Sequence, residues 1–423
     1  MKSQFVKNLK KILRKLAQWT INKYRPGIIG ITGSVGKTSS KIAILSVLEE
    51  ARRLRSASGN FNNEIGLPLT ILGSWSKVGG FSFWLKVVIT SFLKIIFPKW
   101  LMGDYPELLV LEYAADRPGD IKYLLSIARP NISVITAIGD IPVHVEFFSG
   151  PEEVTREKSR LVEHLPAAGF AVLNQDDEVV ASLKEKTRAH VITFGFSKAA
   201  EVRITGFETR VDKNKPIGIS FKLEYGGNFV PIKVDGVFGR SHAYSLASAA
   251  CIGLIFGLNL VKIAESLRDY HPPKGRMNLI EGIKDTWIID DTYNASPLSM
   301  YAALDTLNDL PGKRKIAVLG DMTEIGKYAM DAHGEVGRIA SNTADKLVTI
   351  GPRAKFIAEG AVENGFKRKD ILSFDVVDDA RIPVQELIQK GDLILIKASR
   401  VMGLEKIVEE IKSLRELEMD RKG

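Results

Sequence analysis

Apolar residues recur at helical spacing at the start of the chain. In QFVKNLKKILRKLAQWTINKY, residues 4–24, Phe5, Leu9, Ile12, Leu13, Leu16 and Trp19 fall three or four apart, with Lys and Arg between them. The pattern predicts a basic amphipathic helix within residues 1–26. Two readings stand for it: a helix docked on the body by its apolar face, or one lying on an anionic membrane surface. Charge interrupts the apolar positions and no small-residue cleavage site follows, which argues against a signal peptide. Pro26 and Gly27 then punctuate the chain. IIGITGSVGKTSSKIAILSVLEEA follows as strand, Gly-rich turn and helix.

Residues 81–101, FSFWLKVVITSFLKIIFPKWL, carry 14 apolar residues in 21, interrupted by Lys86, Lys94 and Lys99. Ser82, Lys86, Thr90 and Lys94 form a narrow polar stripe. Three lysines at up to ~3 kcal/mol each roughly cancel the apolar gain of crossing a bilayer. The expectation is a helix in a membrane plane or against the protein, ended by Pro98.

From residue 107 short apolar strands alternate with helices. ELLVLEYA, NISVITAI, FAVLNQD and HVITFGF read as buried strands, and PEEVTREKSRLVEHL as a helix. That rhythm predicts a parallel sheet covered on both faces. Residues 200–238 switch to alternating strands with Gly and Asn turns, a small antiparallel insert. HPPKGRM at 271–277 marks a boundary. TWIIDDTYN, KIAVLGDM, KLVTIG and DLILIKAS then predict a second α/β unit. The expected fold is α/β: a P-loop parallel-sheet ATPase domain at 27–272, with an apolar insertion at 75–105, then a Rossmann-like C-terminal domain at 273–423.

Composition narrows the class. The chain has 423 residues, 45% of them hydrophobic and 26% charged, so it is globular. Its single cysteine, Cys251, excludes a disulfide framework and a multi-Cys zinc site. A reducing, cytoplasmic setting follows most simply. Net charge is +9, but residues 1–48 hold ten Lys or Arg and no acid, and the rest is close to neutral. No nucleic-acid partner is expected, because basic residues are not spread over the body.

The strongest local chemistry is Thr32-Gly33-Ser34-Val35-Gly36-Lys37-Thr38-Ser39 between strand and helix. Glycines let backbone N–H groups close around phosphate oxygens. Lys37 would neutralise the β- and γ-phosphates of ATP, and the Thr38 hydroxyl would hold Mg²⁺. Ile31 stands where the strict pattern has its first glycine. Glu112 ends a buried strand, where a carboxylate suits Mg²⁺ coordination. His144 follows the next strand into the same crevice.

With these residues, eight ordered blocks resemble the Mur ligase family in its D-alanyl-D-alanine-adding branch. They are ITGSVGKTS, GNFNNEIGLPLTIL, LEYAADRPGDI, ITAIGDIPVHVEFFSGPEEVTREKSRL, GRMNLIEG, IIDDTYNASPLSMYAAL, GDMTEIG and KASRVMGLEKIV. The resemblance implies ATP-dependent amide-bond formation through an acyl phosphate, with a muramoyl-peptide and D-Ala-D-Ala as substrates in peptidoglycan precursor synthesis. It implies catalytic roles for Lys37, His144, Lys158 and Arg276. Thr38 and Glu112 would hold one metal ion and His144 the other. Lys158 matches a lysine carbamylated in several relatives; the alternative is an exposed helix lysine. Asp291, Tyr293 and Asn294 would contact nucleotide. Asn60, Asn62, Asn63, Asp321, Lys397, Ser399 and Arg400 would lie on the substrate side.

Three departures accompany the resemblance. Only about 26 residues precede the first strand, so the family's UDP-sugar domain is expected to be lacking. In GRSHAYSLASAA, His242 matches the family's H-N-x-x-N, while Ala243 and Leu246 replace its asparagines. The third is the 75–105 insertion. Residues 4–24 and 81–101 could together hold the enzyme at the inner membrane face. Alternatives are a non-UDP or lipid-linked acceptor, or a membrane-associated P-loop ATPase without ligase activity.

Overall fold

The protein is seen in a computed structural model that describes residues 2–57, 59, 61–75, 78–101, 103–212 and 215–416. Helix α1 (Lys2–Tyr24) leads into β1 (Gly27–Thr32), the phosphate loop and α2 (Lys37–Leu48). Strand β2 (Leu54–Ser56), α3 (Gly66–Leu72) and α4 (Phe81–Ile96) precede β3 (Leu108–Glu112). Helix α5 (Asp120–Ile127), β4 (Ile132–Ile135), α6 (Pro151–Glu163), β5 (Phe170–Asn174) and β6 (His190–Gly195) continue the alternation. Strands β7 (Val202–Asp212), β8 (Lys215–Tyr225) and β9 (Asn228–Asp235) complete the first sheet, in the order β2-β3-β1-β4-β5-β6-β7-β8-β9.

Strands β1 to β6 pair in parallel, whereas β7–β8 and β8–β9 are antiparallel. The expected insert is thus three strands continuing the sheet from β6 through β7. One face is covered by α2 and the helix Arg240–Ile255, the other by α5 and α6. Both faces are dry, so neighbours on opposite faces, such as Ile28 and Ile29, Leu109 and Val110, or Ala171 and Val172, are all buried.

The second sheet follows the turn at 271–277. Strand β10 (Asn278–Gly282) runs antiparallel to β11 (Thr286–Asp290). Strands β12 (Lys315–Gly320), β13 (Lys346–Ile350), β14 (Ile371–Phe374) and β15 (Leu393–Lys397) are parallel, in the order β10-β11-β15-β12-β13-β14. Edge strands β10 and β14 escaped the sequence reading. Both are mostly half-buried and lack the dry apolar run of a central strand.

Helix α1 docks on the body. Leu9, Leu13, Leu16 and Ala17 are buried, the first three against Leu69 and Leu72 of α3 and Val87 of α4. Ile12 and Trp19 do not share that face and are about half exposed. The Lys23 ammonium donates to the carbonyls of Lys94 and Ile95 at 2.7 and 3.1 Å, at the C-terminal end of α4. A cation there satisfies carbonyls that lack helical partners. The Phe5 side chain lies outside the described residues. No described helix is long and apolar enough to cross a membrane.

Candidate active site

In both sheets the parallel strands end towards one cleft of about 1000 Å³. In an open α/β sheet this edge gathers the loops that bind ligand. Gly33 (φ 148°) and Gly36 (φ 83°) bend the phosphate loop, and a side chain on Gly33 would strike the Thr136 hydroxyl. The loop can therefore pack directly against the end of β4. Thr32 is buried beneath it, its hydroxyl donating to the Tyr113 carbonyl at 2.7 Å.

Lys37 folds over the loop, its ammonium donating to the carbonyls of Gly33 (2.7 Å) and Ser34 (3.4 Å). Burial lowers its pKa, Glu112 opposes that shift, and Arg276 adds to it. The Thr38 hydroxyl donates to Glu112 Oε2 at 3.3 Å. Glu112 Oε1 is 2.9 Å from Lys41 Nζ, and both side chains are about 5% exposed. The second unit reaches this point directly, because Arg276 Nη2 donates to Thr38 Oγ1 at 3.2 Å. The Arg276 guanidinium lies 4.0 Å from the centre of the Tyr293 ring.

His144 adopts φ 70°, which aims its ring between two acids. Nε2 is 3.3 Å from Asp116 and Nδ1 is 2.7 Å from Glu324. Burial lowers its pKa, while both acids oppose that shift. Lys158 is not an exposed helix lysine: it is 1% exposed and donates to the Gly33 carbonyl at 3.3 Å. Burial, reinforced by Lys37, brings its pKa down to about 7. Just past β11 and at the end of β15, Asp291 and Lys397 form a buried pair at 2.6 Å, and Lys397 also donates to the Asn294 carbonyl.

The cleft gathers Ser34, Gly36, Lys37, Thr38, Ser39, Asn62, Glu112, His144 and Lys158 from the first unit. The second supplies Arg276, Asp291, Tyr293, Asn294 and Lys397. Other expected contacts do not line it. Asn63 accepts from the N–H groups of Ile65 and Gly66, at the start of α3. Asp321 accepts from Arg353 and Ala354, ahead of the helix Lys355–Glu363. Ser399 accepts from the Thr323 N–H, and the exposed Arg400 stands 5.4 Å from the Tyr293 ring. Asn60 lies outside the described residues.

Helix Arg240–Ile255 gives the departure at Ala243 and Leu246 its structural setting. Ala243 and Leu246 are fully buried in the core of the first unit. Helical rotation turns Ser241, His242, Tyr244 and Ser245 to the cleft instead. The sequence reading also missed Asp116, Asp176 and Asp177, which line the cleft, and Glu324 beside His144. Asp176 and Asp177 lie in the turn just past the end of β5, and that strand-end position was the available signal.

The Mur ligase middle domain profile matches residues 95–253, and the profile described as "Mur ligase, glutamate ligase domain" matches 275–400. The UDP-N-acetylmuramoyl-tripeptide–D-alanyl-D-alanine ligase of Bacillus subtilis is 30% identical over 403 residues, spanning 94% of this chain and 79% of the relative. The crystal structure of MurF from Acinetobacter baumannii superposes with a TM-score of 0.77 at 25% identity, covering 94% of this chain and 79% of that one. MurF ligase from Thermotoga maritima in complex with ADP gives 0.76 at 25% identity, covering 95% and 83%.

Proposed function

The chain belongs to the Mur ligase family, and from that premise we propose that it is an ATP-dependent peptide ligase that joins D-Ala-D-Ala to a muramoyl-tripeptide carboxylate. The carrying observation is that phosphate-loop residues Lys37 and Thr38 share one cleft with Arg276, Asp291 and Lys397 of the second unit. The proposed division is an arm at 1–26, a middle domain at 27–272 with the 75–105 insertion, and a C-terminal domain at 273–423.

In the proposed reaction the substrate carboxylate attacks the γ-phosphorus of ATP, giving an acyl phosphate and ADP. The amine of D-Ala-D-Ala then attacks the acyl carbon, phosphate leaves, and the amine loses a proton. The first step brings anions together, so it needs fixed cations. Lys37 supplies one from the first unit and Arg276 another from the second. Tyr293 packs against Arg276 and orients it.

Thr38 and Glu112 offer adjacent hard oxygen atoms that fit Mg²⁺. Among the described residues no group of three or more His, Cys, Asp or Glu side chains is arranged to hold a metal ion by itself. Nucleotide oxygens and water would therefore complete the shell. Bound there, Mg²⁺ would neutralise phosphate charge. His144 is the proposed donor for a second ion: Glu324 would hold Nδ1, and Nε2 would turn from Asp116 to the metal. Lys158, neutral in part near pH 7, is suited to add to CO₂ as a carbamate, releasing one proton. Asn60, Asn62, Asn63, Asp321, Ser399 and Arg400 remain proposed substrate-side residues, with Asn63 and Asp321 acting through the turns they cap.

This reading puts the enzyme in the cytoplasm, with ATP and precursor, and peripherally at the anionic inner membrane face through residues 4–24 and 81–101. The exposed apolar side of α4 favours a second reading, in which the acceptor is lipid-linked. Phosphate release from ATP and Mg²⁺ tests the reaction, with D-Ala-D-Ala and UDP-N-acetylmuramoyl-tripeptide added singly and together. Release that needs both supports the ligase. Release that ignores the amine would indicate an ATPase module instead.

A further inference from the structure

Among the described residues, exposed large apolar side chains concentrate on α4. Phe81, Leu85, Ile89, Phe92 and Ile96 are 76%, 48%, 47%, 50% and 58% exposed. They follow one another at four, four, three and four residues, so they form one continuous line along the helix. On its inner side only Val87 and Ser91 are fully buried. Scattered exposed apolar residues need no explanation, but a contiguous row marks an interaction surface.

Charge identifies what covers it. Residues 65–103 contain four lysines and no Asp or Glu, and residues 1–48 contain no acid. Lys23 fastens the end of α1 to the end of α4. Ile12, Lys15 and Trp19 precede Lys23 by eleven, eight and four residues, so they lie on the same side of α1. Trp19 is 49% exposed there. A tryptophan beside lysines and an apolar row is the composition of a helix lying at a membrane interface. A second copy of this surface would set cations against cations, which disfavours self-association.

We infer that the outer face of α4, flanked by the basic side of α1, docks on an anionic lipid bilayer. The inference rests on the peripheral-membrane reading above and refines it. Helix α1 keeps its apolar face in the protein, so α4 is the element that enters the lipid. The bilayer contact is in-plane: 16 residues at about 1.5 Å each give a helix of about 24 Å, and it carries Lys86 and Lys94. Lipid phosphates pair with Lys15 of α1 and Lys86 of α4, which are exposed.

The test is sedimentation of the full chain with phosphatidylcholine vesicles, with and without phosphatidylglycerol. The wild type should sediment with the phosphatidylglycerol vesicles and be released as salt is raised towards ~1 M. The Leu85→Gln/Phe92→Gln double variant should lower the bound fraction about tenfold. Both side chains are exposed, so the variant should keep the wild-type melting temperature. Lys15→Gln/Lys86→Gln should weaken binding to the anionic vesicles selectively. A wild type that stays in the supernatant would overturn the inference. So would equal binding by the double variant, or a stable dimer that this variant breaks. Sedimentation needs no substrate, and vesicle-free phosphate release tests the ligase reading separately.

Discussion

The Arg276 guanidinium donates to the Thr38 hydroxyl at 3.2 Å, across the junction between the two units. This contact places a cation of the second unit at the residue expected to carry Mg²⁺. Arg276→Ala should lower kcat for acceptor-dependent phosphate release roughly 10²-fold, the usual cost of one lost transition-state donor. The melting temperature should stay close to wild type. Equal loss from Tyr293→Ala would show that stacking positions the guanidinium.

Lys158 sits in an environment far from that of a solvated lysine. Its pKa of about 7 leaves a substantial neutral fraction near neutrality. Incubation with ¹³C-bicarbonate should give a carbamate carbon signal that is absent from Lys158→Met. Activity should fall in bicarbonate-depleted buffer and recover when bicarbonate returns. An unchanged rate in depleted buffer would remove the carbamate from the mechanism.

Lys41 and Glu112 form an ion pair shielded from water. Removing one partner of such a pair leaves a buried uncompensated charge. Lys41→Met should therefore destabilise the protein by about 3 kcal/mol, read by denaturant unfolding. The Lys41→Met/Glu112→Leu double variant should recover part of that loss, because no orphaned charge remains.

His333 is buried, accepts from the Met322 N–H at 2.9 Å, and has its pKa lowered to about 4 by burial. The unfolded chain binds this proton near pH 6.5, before the folded one does. Stability from this group is thus complete above pH 6.5 and is lost as pH falls towards 4. His333→Gln keeps an acceptor and should flatten the fall in melting temperature between those values. An unchanged slope would assign acid sensitivity elsewhere, with His242, also lowered to about 4, the next candidate.

Ala243 and Leu246 occupy the core while Ser241 faces the cleft. Leu246→Asn should cost about 3 kcal/mol of stability, through a lost apolar contact and a buried amide. It should leave the KM for ATP unchanged in the folded protein. Ser241→Trp should do the reverse, raising that KM roughly tenfold with little effect on stability.

Where short-range patterns dominate, the sequence was sufficient. Runs such as LLVLE and LILIK are dry on both faces, and only a covered parallel sheet accommodates them. The phosphate loop was equally legible, because a Gly-rich turn between strand and helix has few other uses. Glu112, His144 and Arg276 were found from ordered motifs, although their meeting depends on residues far apart in the chain.

Tertiary structure decided the rest. Whether Lys158 is a solvated cation or a partly neutral amine depends on what surrounds it, and Lys37 and Gly33 are more than a hundred residues away. That Glu324 reaches His144 depends on how the two units pack. Apolar periodicity grouped Ile12 and Trp19 with Leu9, Leu13 and Leu16, but α3 and α4 cover only the last three. A single chain records which side chains avoid water; which of them find a protein partner is settled by long-range packing, and on α4 a whole row finds none.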